Sequence, residues 1–302
     1  MKTLIKHANQ KSRIPVLNTI KVQNGMATAF DLGNQISYPC DKQDGLYDAK
    51  GVKAGVWLKS EIPMEDFPEL LNMGEKVGQC TVEIDDLDYV SRAMSMEEVR
   101  YYLNGIHFDG HGIVATDGHR LHMVKNDTGL QRGNLILPRA SVNYILAMAK
   151  EQKTKELIII EFTENKFKTK VGAYEIAGAL IDGTFPDYNR VIPKDHSKIG
   201  VYSLPELKAI EKEAKALHKA NGGKHGATMK FEGNKMRVMA REYSKSWDTA
   251  LNFGPEGIGF NLDYLIDIGL DGADALTSPK YAHEPVRFDL GNRIAVLMPI
   301  RV

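Results

Sequence analysis

The chain has 302 residues, 43% hydrophobic and 26% charged, which supports packed cores in two or three domains and excludes a disordered polymer. Lys plus Arg and Asp plus Glu stand at 39 each, so net charge names no nucleic-acid partner, and any such surface must come from local segregation of charge. Cys40 and Cys80 have no metal-like spacing and no run approaches the ~20 apolar residues that span a bilayer, so the reading is a soluble, cytoplasmic protein without a membrane partner.

From Met1 to Phe30 the chain carries Lys2, Lys6, Lys11, Arg13 and Lys21 and no acid. Ile20–Asp31 alternates apolar and polar residues about Asn24-Gly25, the pattern of a β-hairpin with one wet face. The pattern returns at Ile106–Asp117 about Asp109-Gly110, and at Met229–Ala240 about Glu232-Gly233-Asn234. A second element also repeats: Trp57–Ile62 runs into Phe67-Pro68-Glu69, and Tyr174–Ile181 runs into Phe185-Pro186-Asp187. The first two hairpins start 86 residues apart and the Phe-Pro motifs 118 apart, leaving the first copy 32 residues short. In the second copy that interval holds a predicted helix, Arg139–Gln152, with Val142, Ile145, Leu146 and Ala149 on one face. The expectation is that the first copy has lost this helix. Domain boundaries fall at 1–78, 79–198 and 199–302.

The third domain opens on Ser203-Leu204-Pro205-Glu206, an N-cap with Pro in the first turn and Glu three residues on. The helix is predicted to reach about Ala220, before Gly222-Gly223. Leu207, Ile210, Ala214 and Leu217 form one stripe. Lys208, Lys212, Lys215 and Lys219 form another, roughly 150° away at ~100° per residue. Glu206, Glu211 and Glu213 lie off that stripe, so four unneutralised ammoniums are expected there. Lysine suits non-specific contact with a phosphate backbone.

Arg100–Gly105 (Arg-Tyr-Tyr-Leu-Asn-Gly), Ala115–Leu121 (Ala-Thr-Asp-Gly-His-Arg-Leu), Leu180–Pro193 and Val296–Val302, in this order and spacing, resemble the bacterial DNA polymerase III β subunit, the β sliding clamp family. Ile14–Asn18 resembles its first-domain motif and Gly259–Tyr264 its third-domain helix entry. The resemblance implies an α+β DNA-clamp fold of three related domains. Antiparallel sheets lie outside and helices inside, the first domain is reduced, and chains join head to tail in a ring. A heterologous joint of that kind stays finite only if the rotation closes. The resemblance also implies a homodimer, no enzymatic activity and no cofactor or metal. The partners are double-stranded DNA, bound without sequence preference, and a polymerase and clamp loader bound through short peptides.

The implied peptide groove has Leu103, Thr116, Gly118, His119, Arg120 and Leu121 on one part of its wall. Pro186, Arg190, Val191, Asn261 and Tyr264 follow, with Val296, Met298, Pro299, Ile300 and Arg301 at the C-terminal end. Leu, Val, Met and Pro would offer an apolar slot, and the polar groups would fix a peptide backbone. For DNA the resemblance adds Lys11, Arg13, Arg100, Tyr101 and Tyr102 to the lysines of the third-domain helix. Glu97 departs from the family, which often carries a neutral polar residue there; an acid facing the hole would weaken phosphate contact.

Two other readings compete. His107, His111, His119 and His122 could serve a metal hydrolase if two or three converged with Asp117, but hairpin ends and strand alternation separate them. A clamp-like peptide-binding module that never closes on DNA would suit the shortened first domain. No GxxxxGK[ST] loop is present, so ring opening by ATP would need a separate loader.

Overall fold

The computed structural model describes residues 1–8, 12–68, 73–130, 133–194, 197–223, 226–240, 243–253, 257–277 and 284–300. They form two compact units. The first comprises residues 1–91, 104–111 and 127–184, and the second 92–103, 112–126 and 185–302.

A helix, four strands and a helix follow one another three times along the chain; in the second and third passes a strand precedes them and three strands follow. The first pass holds α1 (Lys2–Ala8), β1 (Thr19–Gln23), β2 (Met26–Phe30), β3 (Asn34–Pro39), β4 (Gly45–Asp48) and α2 (Ala49–Lys53). The second holds β5 (Gly78–Glu83), α3 (Ile84–Ser91), β6 (Gly105–Asp109), β7 (Gly112–Thr116), β8 (Arg120–Lys125), β9 (Leu135–Pro138), α4 (Arg139–Gln152), β10 (Leu157–Phe162), β11 (Lys166–Val171) and β12 (Tyr174–Ala179). The third holds β13 (Ser197–Val201), α5 (Leu204–Ala220), β14 (Thr228–Glu232), β15 (Lys235–Ala240), β16 (Tyr243–Asp248), β17 (Ile258–Asn261), α6 (Leu262–Ile268), β18 (Asp274–Thr277), β19 (Val286–Leu290) and β20 (Arg293–Leu297).

The expected loss of a helix from the first copy is corrected here. That helix survives as α2, five residues long, with the Asp48 carboxylate accepting from the Gly51 amide at 2.6 Å. Among the described residues the first pass instead lacks the three strands that follow, and the strand that opens the other two passes. A five-residue helix with a central glycine is too short for a 3.6-residue period to show.

In the first unit one antiparallel sheet runs β4-β1-β2-β3-β12-β11-β10-β5. Residues Asn34–Ser37 of β3 pair with Glu175–Gly178 of β12, joining the first pass to the second. The β1–β2 turn needs positive φ at both central positions, supplied by Asn24 (52°) and Gly25 (76°). α1 and α4 pack against this sheet and each other. Leu4, Ile20, Ile36, Val142, Ile145, Met148 and Phe167 are buried there; each such side chain stabilises the fold by ~1.5–3 kcal/mol. On α4 the buried stripe includes Met148, whereas Leu146 is only partly covered.

The second unit contains strands in the order β13-β18-β19-β20-β8-β7, and a four-stranded sheet ordered β16-β15-β14-β17. Leu207, Ile210 and Ala214 turn one face of α5 inward, and the Ser203 hydroxyl accepts from the Glu206 amide at 3.3 Å to cap it. Phe231, Phe253 and Phe260 pack their rings 5.0–5.9 Å apart beneath. Among the described residues no helix is long and apolar enough to cross a membrane.

Candidate functional site

A cleft of about 170 Å³ lies on the second unit. Its floor is apolar: Leu103, Leu121 and Val296 are 3%, 2% and 3% exposed. Val191 and Met298, 51% and 42% exposed, stand at its rim with Pro186. Nine of the sixteen groove residues read from the sequence line it: Leu103, Thr116, Gly118, Arg120, Leu121, Pro186, Val191, Val296 and Met298.

The wall is held by a tight turn between β7 and β8. The Asp117 carboxylate accepts from the amides of His119 (2.9 Å) and Arg120 (3.1 Å). The Thr116 hydroxyl donates to the Arg120 carbonyl at 2.7 Å. Gly118 sits at φ +90°, and a Cβ there would come within 2.6 Å of an Arg100 guanidinium nitrogen. Glycine therefore permits both the turn and the approach of Arg100, which donates to the Asp117 carbonyl at 3.2 Å. The Met298 amide donates to the His119 carbonyl at 2.8 Å, tying the end of β20 to the same turn.

Arg120 forms the polar side of the cleft. Its side chain is 12% exposed and reaches Asp117 at 3.1 Å and Asp267 at 2.5 Å. It also lies 4.2 Å over the Tyr264 ring, and the His119 ring stands 6.4 Å from that ring. Burial first, then the Asp117 charge, push the Tyr264 hydroxyl above its ordinary pKa, so it stays a donor. Tyr264 and His119 thus adjoin the wall through Arg120 rather than line the cleft. Asn261 is turned to another task, accepting from the Asp263 amide at 2.8 Å to cap α6. Ile300 donates to the Gly259 carbonyl at 2.7 Å. Pro299 and Arg190 lie outside the lining, and Arg301 and Lys11 fall outside the described residues. Sequence reasoning missed Asp187 and Tyr188 as lining residues. The former caps the short 3₁₀ turn Tyr188–Arg190, and its place after the Phe-Pro motif was the available signal.

Arg100, expected at DNA, lines the cleft. It pairs with Glu97 at 2.8 Å, a bond that holds the Glu97 carboxyl below its ordinary pKa. The acid is therefore neutralised locally. Tyr101 is 52% exposed and stacks edge-on with Tyr102 at 5.8 Å. On α5, Lys208, Lys212 and Lys219 are exposed. Lys215 is not the free ammonium expected: it pairs with Glu211 at 2.7 Å and Asp263 at 2.6 Å. The i,i+4 geometry on α5 and the start of α6 alongside bring both acids within reach. Arg13 is exposed.

A larger, open concavity of about 580 Å³ lies over β10 and β11 in the first unit. Its rim charges neutralise each other, Lys168 with Glu161 at 2.8 Å and Lys170 with Glu175 at 2.7 Å, so no set of free polar groups converges there.

The fold is a DNA-clamp fold. Over the whole chain it matches the crystal structure of a DnaN sliding clamp from Bartonella birtlesii bound to griselimycin, with TM-score 0.80, 23% identity and 96% of that chain covered. It matches a Caulobacter crescentus β sliding clamp with TM-score 0.79 and 21% identity, covering 100% of this chain and 95% of that one. Residues 84–187 match the family described as DNA polymerase III beta subunit, central domain. A beta sliding clamp of Pseudomonas aeruginosa is 28% identical over 279 residues, covering 83% of this chain and 73% of that protein. One from Escherichia coli K12 is 29% identical over 224 residues, covering 69% and 60%. The chain is a divergent relative of the bacterial β sliding clamps.

Proposed function

We propose that the chain is a sliding clamp, a processivity factor with no chemistry of its own. It encircles duplex DNA in the cytoplasm and tethers a polymerase, a loader and other replication or repair proteins. The cleft of the second unit carries this reading. Its apolar floor and exposed Met298 and Val191 rim suit aliphatic or aromatic anchors of a short peptide, and its 170 Å³ is a side-chain slot, smaller than the ~300–1,000 Å³ of a small-molecule site. Exposed Arg13, Lys208, Lys212 and Lys219 supply weak, mobile phosphate contacts. The reading takes three domains, at 1–78, 79–198 and 199–302, supported by the three passes, whose opening strands β5 and β13 start at Gly78 and Ser197.

Retention on DNA tests the reading. A topological link survives high salt on closed-circular DNA and is lost when the circle is cut. Retention that follows salt and ignores topology would instead support a peptide-binding module that never closes, a reading favoured by the three strands that the first pass lacks among the described residues.

A further inference from the structure

Three charged side chains line the cleft: Arg100, Arg120 and Asp187. Each guanidinium already has a carboxylate of its own. Arg100 Nε donates to Glu97 Oε2 at 2.8 Å, and Arg120 pairs with Asp117 at 3.1 Å and with Asp267 at 2.5 Å. Neither arginine is left to attract an acidic peptide. Asp187 differs. Its Oδ1 accepts from the Asn189 amide at 3.2 Å, and among the described residues its carboxylate makes no ion pair. It is exposed and stands between Pro186 and Val191, the apolar residues of the rim.

Four carboxylates against two guanidiniums leave a surplus of two negative charges around the apolar slot, among the described residues. Glu98 and Arg190 are exposed outside the lining and offset each other. Charge beside a cleft acts more strongly than charge on open surface, because low-dielectric walls focus its field.

The sign of that surplus depends on Glu97, the carboxylate that cancels Arg100. The Asp117 carbonyl, which accepts from Arg100 Nη2 at 3.2 Å, and the space above Gly118 hold the guanidinium at the cleft without it. Were Glu97 uncharged, Arg100 would stand in the lining as a cation with no carboxylate bonded to it.

We propose that the cleft selects peptides whose apolar anchor is flanked by lysine or arginine and disfavours acid-flanked ones, with Glu97 and Asp187 setting the preference. The inference rests on the reading of the cleft as a peptide site and specifies the peptide.

The test uses the full chain and three fluorescein-labelled peptides that share the core Leu-Ser-Leu-Phe, flanked on each side by lysine, glutamine or glutamate. His119 lies 3.9 Å from Asp117, so anisotropy titrations run at about pH 8, where imidazole is neutral. At low salt the lysine peptide should bind about tenfold more tightly than the glutamate peptide, with glutamine between, and added salt should close the gap. Asp187→Asn keeps the oxygen that accepts from Asn189, and Glu97→Gln keeps an oxygen for Arg100, so both variants should fold. Each should shrink the lysine-over-glutamate ratio about threefold while the glutamine peptide binds as before. Met298→Ala should weaken all three peptides alike. Equal affinity for the three, tighter binding of the glutamate peptide, or a ratio that neither Asp187→Asn nor Glu97→Gln changes overturns the charge preference, and the cleft reading stands if Met298→Ala still weakens binding. If no peptide binds, or Met298→Ala leaves every affinity unchanged, the cleft reading falls and the preference with it.

Discussion

Arg120 ties the cleft wall to α6, because two carboxylates and one aromatic ring converge on its guanidinium. Arg120→Lys keeps the charge but loses the planar fork and the stacking on Tyr264. Peptide affinity is expected to fall with Arg120→Lys nearly as far as with Arg120→Ala; full rescue by lysine would reduce the residue to a point charge. The apolar residues divide differently. Met298 is 42% exposed and Leu121 2%. Met298→Ala should weaken binding of a polymerase-derived peptide by about 1–2 kcal/mol at unchanged melting temperature. Leu121→Ala should cost the fold ~2–4 kcal/mol besides. Calorimetric titration beside a thermal melt separates the two, and unchanged peptide affinity in Met298→Ala would remove the cleft assignment.

At the level of elements, α5 carries two kinds of lysine. Lys208, Lys212 and Lys219 are exposed, and Lys215 bridges Glu211 and Asp263, bonds that raise its pKa. Lys208→Ala with Lys212→Ala should flatten the dependence of DNA binding on salt by a log–log slope of about 2, with the fold unaffected. Lys215→Ala should leave that slope nearly unchanged; an equal loss from either change would contradict the division. The helix was legible in the sequence because its cap, stripe and glycine stop are local signals, as were the hairpins at Asn24-Gly25 and Glu232-Gly233. The ion pairs of Lys215 were not, because Asp263 is 48 residues away in sequence. Likewise α2 gave no periodic signal, and the place of Arg100 at the cleft depends on the space above Gly118, 18 residues away in sequence. Of the nine groove residues that line the cleft, Thr116, Arg120, Leu121 and Val296 lie on β7, β8 and β20, and Leu103, Gly118, Pro186, Val191 and Met298 lie on turns and loops. Asn261 and Ile300, also read as groove residues, were taken up by backbone bonds.

Across the whole molecule, strongly bound carboxylates are unevenly placed. Glu151 accepts from the amides of Lys2 (2.9 Å) and Thr3 (2.8 Å) and pairs with the Met1 ammonium at 2.5 Å, anchoring α1 to α4. Burial would raise its pKa, but these bonds outweigh it and hold the carboxyl at about 2 against an ordinary 4.5. Glu161 is also held at about 2, first by its bond to Lys168 and then by Lys76, yet its side chain is 32% exposed, so solvent screening discounts it. Both belong to the first unit. A carboxylate with a depressed folded pKa stabilises above its unfolded value, and that stability is lost as pH falls from about 4.5 toward 2. Acid should therefore weaken the first unit before the second. In calorimetry from pH 6 to 3 the transition of the first unit should move down further. Glu151→Gln at pH 7 should remove roughly 1–2 kcal/mol from it, less than the full shift because the anchor is partly solvated. The variant should also be less sensitive to acid. A Glu151→Gln protein that loses stability between pH 5 and 3 as steeply as the parent would show that another group carries the acid response.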